Sequence, residues 1–405
     1  MTCEHSNPGC PARQVPATRR PCAGVCGRPA GPQWWNALRR WAVVWLSVLT
    51  GLACAGFGPP VIRDGNYPPR RLYPEQIDAM RRLVSAPGIS AGAGLILDVD
   101  AGQTLYALHE HQALPPASAA KLMTALLVLS RVPLTDTVQV SARAASTGGS
   151  TMGLQAGEKL SVHDLLYGLL LPSGNDAAVA LAEHVSGSEE AFVAQMNQQA
   201  AQMGLGESHF GNADGEDLPQ QVTSAADLLT IARADLSYPE FVRVVATRET
   251  DVAGRHLVNT NQLLGTYPGA DGIKTGTTDA AGECLVASVT RNGHRLLLVL
   301  LHSADRYADA RALLDYVAAG WSWRPVTLPD DALASEFGPD GQLYRLRAAS
   351  APDVFLPNWQ WALVRPVRVL DLKTLFTGNQ PVGSLLLTLD GNTLARVPLT
   401  AWPGP

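Results

Sequence analysis

The chain has 405 residues, 46% of them hydrophobic and 17% charged, with a formal net charge of −5. That length holds two folded domains, or one large and one small, with enough apolar residues for a full core. The longest basic runs in the body are the pairs Arg70-Arg71 and Arg81-Arg82, which argues against nucleic acid as a partner.

Four cysteines, Cys3, Cys10, Cys22 and Cys26, lie in the first 26 residues, and Cys54 follows an apolar run. Only Cys22 and Cys26 have the spacing of a zinc-ligand pair, so no metal is expected. Cys284 alone lies in the body, which therefore forms no internal disulfide. Arg39-Arg40 precede an apolar stretch from Trp41 to Phe57, about 17 residues long, the lower limit for crossing a bilayer. Ala53-Cys54-Ala55 has the A-x-A form of a signal-peptidase site. A cleaved signal, an uncleaved N-terminal anchor and a lipid anchor on Cys54 all place the body outside the cytoplasm. Residues 1–57 are read as a leader, and 58–84 as a spacer ending in a short helix over Glu75–Val84.

Ala93–Val99 and Thr104–Leu108, separated by Asp100-Ala101-Gly102, read as a hairpin. Ser118–Ser130 reads as an apolar helix. Ser161–Arg233 keeps helical spacing throughout, punctuated at Pro172, Gly187 and Gly204. Cys284–Val289 and Arg295–His302 flank an Asn292-Gly293 turn, and Asp305–Ala319 is amphipathic. Two strands, a helical insert, further strands and a closing helix describe an α+β domain with an antiparallel sheet over 85–323. Beyond Trp323, short apolar runs alternate with turn residues, as in a small all-β module over 324–405.

Only four lysines stand against 27 arginines, and two of them sit where an amine can do chemistry. Lys121 follows Ser118 by three residues, so at a helix start the hydroxyl and amine share one face. Arginine cannot lose its proton, whereas a buried lysine can. Bringing Lys121 close to neutrality takes roughly 4 kcal/mol of differential destabilisation of its charged form. Burial and a second cation are the available causes. Ser-x-x-Lys is usually an ordinary surface pair, but Lys121 stands among Ala119, Ala120, Leu122 and Met123, where a solvated lysine is out of place. Ser173-Gly174-Asn175, after the helix-breaking Pro172, presents a hydroxyl and an amide on a tight turn. Lys274-Thr275-Gly276-Thr277 lies ahead of the Cys284 strand. On an edge strand the glycine admits a peptide backbone, Lys274 supplies the second cation, and the threonines offer hydroxyls to a carboxylate. The second and third motifs are each weak alone, but the three in this order form a strong signal. His109-Glu110-His111 lacks the helical spacing of a metal pair.

With these motifs the sequence closely resembles the low-molecular-mass penicillin-binding proteins, the serine-type D-alanyl-D-alanine carboxypeptidases, over about Ser85–Trp323. Gly148-Gly149-Ser150-Thr151-Met152, Leu154-Gln155-Ala156-Gly157-Glu158 and Ser173-Gly174-Asn175-Asp176-Ala177-Ala178 carry the likeness further, as do Thr223–Leu228 and Ala270–Thr278. The tail is similar, more loosely, to the β-sandwich module of many members. The resemblance implies a β-lactamase/transpeptidase-like fold followed by that sandwich-like module. It implies Ser118 as acylated nucleophile, Lys121 as its base, and Ser173 and Asn175 in proton transfer and substrate positioning. Lys274, Thr275, Gly276 and Thr277 would bind substrate, and the backbone N–H groups of Ser118 and Thr277 would form an oxyanion hole. Arg306 is a candidate carboxylate ligand, a surface salt bridge being the alternative. The implied partners are peptidoglycan stem peptides, with β-lactams as inhibitors and the membrane if the leader stays uncleaved; no cofactor is implied.

Three departures stand out. Ala119-Ala120 replace the usual Leu-Thr, Thr260 stands between Asn259 and Asn261 where some members have arginine, and a terminal amphipathic helix is missing after Trp402. The alternatives are a serine β-lactamase and a catalytically silent penicillin-binding module. The former is disfavoured because no glutamate between Ser173 and Lys274 has asparagine four residues on, the latter because Ser118 and Lys121 are intact.

Overall fold

In the computed structural model of the chain, residues 61–63, 73, 75–76, 79, 85–328, 334–351, 353–371, 380–389 and 391–403 are described. Chain contacts separate Met1–Val61 from Ile62–Pro405, and the elements from Ala93 to Pro403 all belong to the second unit. The leader and nearly all of the spacer lie outside the described residues.

Leu296–Leu301 is an unbroken apolar run because it is the middle of a sheet covered on both faces. Five strands, β1 (Ala93–Asp98), β2 (Gln103–Leu108), β3 (Ala270–Thr278), β4 (Gly282–Arg291) and β5 (His294–Ser303), pair antiparallel in the order β2-β1-β5-β4-β3. Successive strand residues point to opposite faces. Leu297, Val299 and Leu301 enter one core with the helical layer, while Leu296, Leu298 and Leu300 enter another with Leu313, Leu314 and Val317 of the closing helix. The two hairpins expected from the sequence are present, with Asn292 and Gly293 both at positive φ in the β4–β5 turn. β3 lies at the edge of this sheet, as expected for a strand that offers its backbone to a peptide.

The helical layer contains α1 (Lys121–Arg131), α2 (Val162–Leu170), α3 (Asn175–Ser186), α4 (Glu189–Met203), α5 (Ala225–Asp235) and α6 (Pro239–Ala246), and α7 (Arg306–Gly320) covers the other face. The ends are set by residues suited to them. Gly187 and Gly204 close α3 and α4 in the left-handed region, and Ser161, Ser188, Ser224 and Asp305 accept first-turn N–H groups of α2, α4, α5 and α7. Two expectations need correction. The helical reading of Ser161–Arg233 overran, because the stretch between Gly204 and Ser224 is an irregular loop. Helix α1 does not begin at Ser118; Ala117–Ala120 forms a 3₁₀ turn first.

β6 (Trp321–Arg324) leaves α7 and pairs with β9 (Val354–Pro357). β7 (Ser335–Phe337), β8 (Leu343–Ala348), β10 (Arg365–Leu370), β11 (Pro381–Leu389) and β12 (Asn392–Pro403) follow the order β10-β11-β12-β8-β7 in an antiparallel sheet. Val382, Leu385, Val397, Leu399 and Leu346 form its own core, as expected of an all-β C-terminal module. Trp323 ties it to the main sheet, stacking on His294 and Phe355 and donating from Nε1 to Asp98 at 2.7 Å.

Candidate active site

A cleft of about 350 Å³ opens beside the β3 edge, lined by Ser118, Ser150, Ser173, Thr260, Gln262, Thr275, Gly276, Thr277, Glu283, Arg306 and Tyr307. Three segments far apart in sequence meet there, so the structure brings together the three motifs picked out from residue chemistry.

Ser118 stands on the 3₁₀ turn. Ala117 just before it has φ of 49° and is completely buried, a left-handed residue without glycine's freedom. Such a conformation costs on the order of 1–3 kcal/mol and persists only where packing imposes it. Two glycines impose it here. A Cβ on Gly215 would lie 2.1 Å from the Ala117 carbonyl oxygen, and one on Gly276 would lie 2.9 Å from Ser118 N. The glycine of Lys274-Thr275-Gly276 therefore admits the Ser118 turn against β3, a role distinct from the substrate access expected of it.

Lys121 is wholly buried. Its Nζ lies 2.9 Å from Ser118 Oγ, 2.7 Å from Asn175 Oδ1, and within hydrogen-bond reach of the Asp214 carbonyl. Two carbonyl-type acceptors and one hydroxyl take the three N–H groups of the ammonium, and loss of the proton on the Ser118 side would leave a lone pair facing that hydroxyl. Burial pushes its pKa from 10.5 down to about 8, against the opposing pull of Asp214, Glu216 and Asp176. The environment thus supplies the lowered basicity that a lysine base needs.

Lys274 is a second buried amine. It is 1% exposed, and its Nζ donates to the carbonyl of Thr275 at 2.8 Å. Burial first, then Lys121 and Arg306, hold its amine well below the ordinary lysine range. Arg306, like Lys121, disfavours a charge on Lys274. It is buried at 6% exposure, donates from Nη1 to Gly276 O at 2.7 Å and Cys284 O at 2.9 Å, and bonds Thr277 Oγ1 from Nη2. Its Nε pairs with Glu283 at 3.1 Å. These bonds account for four of the five guanidinium N–H groups, leaving one on Nη2. Arg306 thus does form a salt bridge, to the partly exposed Glu283, but from a buried position.

Ser173 sits at φ 66°, and its Oγ is buried in the cleft without a hydrogen-bond partner among the described residues. Asn175 opens α3 and sends Nδ2 to Gly148 O at 3.0 Å and Glu216 Oε1 at 2.8 Å. Asp176, next in line, accepts from the backbone N–H groups of Met152, Gly153 and Leu154, which folds the Gly148–Leu154 segment over the helix start. Thr275 Oγ1 meets Thr260 Oγ1 at 2.7 Å, and Thr260 O accepts from Tyr307 Oη at 2.8 Å. Thr260 therefore occupies the cleft wall where an arginine had been looked for. Tyr307, Gln262, Ser150 and Glu216 were missed as neighbours of the site. Tyr307 had a signal in its place next to Arg306, but the others sit on irregular segments.

No cluster of His, Cys, Asp and Glu suited to a metal ion occurs among the described residues. His109, by contrast, bonds Gly92 O, and His111 lies against Glu207. Cys284 is free and buried, with its thiol pushed up to about 11 by burial.

The family profile for D-alanyl-D-alanine carboxypeptidases matches residues 80–305. D-alanyl-D-alanine carboxypeptidase DacF of Bacillus subtilis is 31% identical over 329 residues, covering 77% of this chain and 85% of that protein. Among solved structures, penicillin binding protein 6B of Escherichia coli aligns with a TM-score of 0.62 and 31% identity over 78% of this chain and 96% of its own. Penicillin binding protein 5 of Haemophilus influenzae aligns with a TM-score of 0.61 and 29% identity over 79% and 98%. Ser118, Lys121, Ser173 and Lys274 thus stand in a β-lactamase/transpeptidase-like fold, and the chain belongs to the D-alanyl-D-alanine carboxypeptidase family of serine peptidases.

Proposed function

We propose that Ser118 is acylated by the carbonyl between the two terminal D-alanines of a peptidoglycan stem peptide. The last D-alanine leaves, and water then releases the shortened stem from the serine. The observation that carries this reading is the buried Lys121 amine, 2.9 Å from Ser118 Oγ, with two carbonyl-type oxygens taking its N–H groups. Lys121 accepts the hydroxyl proton as the Oγ–carbon bond forms. Ser173, with its unpartnered hydroxyl facing the same cleft, passes a proton to the departing amine. Backbone N–H groups of Ser118 and Thr277 hold the oxyanion, a kind of donor worth about 10²–10³ in rate.

The substrate peptide lies along the free edge of β3, with Asn175, Lys274, Thr275 and Gly276 against it. Its terminal carboxylate meets Thr277, Thr275 and the remaining Arg306 N–H group. β-Lactams acylate the same serine because their amide presents a carbonyl and carboxylate in similar relation. Catalysis belongs to 85–323, and 324–405 forms a separate β module.

The enzyme works outside the cytoplasm, where its substrate is. The apolar segment Trp41–Phe57 supports export, by a cleaved signal or as an anchor. Among the described residues, no helix is long and apolar enough to cross a membrane.

Release of D-alanine from diacetyl-Lys-D-Ala-D-Ala tests the reaction. Wild-type protein releases it and Ser118→Ala does not; equal release by both would exclude the serine mechanism.

A further inference from the structure

The loop between α4 and α5 touches all three catalytic segments. The Asp214 carbonyl accepts from Lys121, Gly215 packs on Ala117, and Asp217 accepts from Thr278 Oγ1 at 2.6 Å and Ala280 N at 3.0 Å beside the end of β3. Between them, Glu216 places Oε1 2.8 Å from Asn175 Nδ2, on the side of the amide opposite Lys121. Its side chain is exposed, yet its backbone is held at both ends. Glu216 N donates to Asp214 Oδ1 at 3.1 Å, and its carbonyl accepts from Asn212 Nδ2 at 2.9 Å and Gln221 Nε2 at 2.8 Å.

An asparagine amide can be turned over, exchanging its donor and acceptor ends. Turned here, Asn175 would aim an N–H group at the Lys121 N–H groups and its oxygen at a carboxylate. Both contacts are repulsive, so Glu216 and Lys121 together select one orientation. A carboxylate in that place also favours the charged form of the amine beyond the amide.

Resting on the reading of Lys121 as the base, we propose that Glu216 is a positioning residue that acts through the Asn175 amide, locking Oδ1 toward Lys121. Asp214, Glu216 and Asp176 all favour the charged form of Lys121, and burial opposes them. Glu216 is the member of this set that solvent reaches, so its influence alone is screened by salt.

The test is the pH profile of acylation by a fluorescent penicillin, measured on the full chain as wild type, Glu216→Gln, Glu216→Ala and Lys121→Ala. Glu216→Gln keeps an acceptor for Asn175 and removes the charge. Its rising limb is expected about half a pH unit lower, with about threefold faster acylation on the limb, and the gap from wild type is expected to close in about 1 M salt. Glu216→Ala shows the same displacement and a lower plateau, because Asn175 Nδ2 keeps only one of its two acceptors, the Gly148 carbonyl. Limbs that coincide with wild type in both variants, or that move upward, overturn the proposal. Lys121→Ala separates the role of the base from that of its neighbour. If it acylates like wild type, the base reading itself fails; if it is dead while the Glu216 limbs stay put, only the role of Glu216 fails. Should Glu216→Ala fail to fold, Glu216→Gln decides alone.

Discussion

The pH dependence of acylation follows from the surroundings of Lys121. Burial lowers its pKa from 10.5 to about 8, so about a tenth of the amine is neutral at pH 7. A lysine left at the ordinary value would be neutral to only about 0.03% at that pH, so the site raises the available base by about 300-fold. Part of this gain is given back because a less basic amine draws the proton less strongly. The rate constant for acylation by a fluorescent penicillin should rise nearly tenfold per pH unit from 6 and level off near pH 8. Lys121→Arg removes the neutral form, since a guanidinium stays charged to a pKa above about 12, and acylation should fall by at least about 10³. The melting temperature shows whether the variant is folded. A flat profile between pH 6 and 8, or a folded Lys121→Arg within tenfold of wild type, would refute the reasoning.

Gly276→Ala puts a methyl group 2.9 Å from Ser118 N and from the Ala117 side chain. Displacing Ser118 in this way should slow acylation about 10²-fold and cost about 1–3 kcal/mol of stability through overpacking, as stopped-flow labelling and a melting curve would show. Arg306→Lys leaves one or both of the Gly276 and Cys284 carbonyls bare inside the protein. About 1–3 kcal/mol of stability should be lost per buried group left unpaired, with KM for the peptide raised, measurable by urea unfolding and D-alanine release. Asp235 is fully buried, both its oxygens lack partners among the described residues, and burial pushes its pKa well above 3.8. A carboxyl raised in the folded state stabilises most fully below its unfolded pKa, and that stability is lost as pH rises through the folded value. The native protein should therefore lose melting temperature from about pH 4 upward through this group, and Asp235→Asn should flatten the slope and melt higher at pH 8.

What could be read from the sequence was whatever the chemistry restricts to one residue type. Lys121 stood out because arginine, otherwise preferred by this chain, cannot act as a base there. The β4–β5 hairpin was legible because Asn292-Gly293 permits two successive left-handed residues, and α7 because Asp305 caps an amphipathic run. The 3₁₀ turn at Ala117–Ala120 was hidden, since its alanines suit a continuous helix equally well; the clash-free approach of Gly215 and Gly276 sets the conformation, and that is a tertiary effect. The Gly204–Ser224 loop was read as helix because its few apolar residues happen to fall at helical spacing, while its real anchors are side-chain-to-backbone bonds such as Gln221 to Glu216. The burial of Lys274 near Lys121 and Arg306 was hidden, because it arises only once the strands are paired.

Ser118 is the residue on which the mechanism stands most directly. Incubated with a fluorescent penicillin and characterised by intact mass and peptide mapping, the wild-type protein should carry one adduct, on the peptide containing Ser118, and Ser118→Ala should carry none. A folded wild-type protein that stays unlabelled, or an adduct that persists in Ser118→Ala, would contradict it.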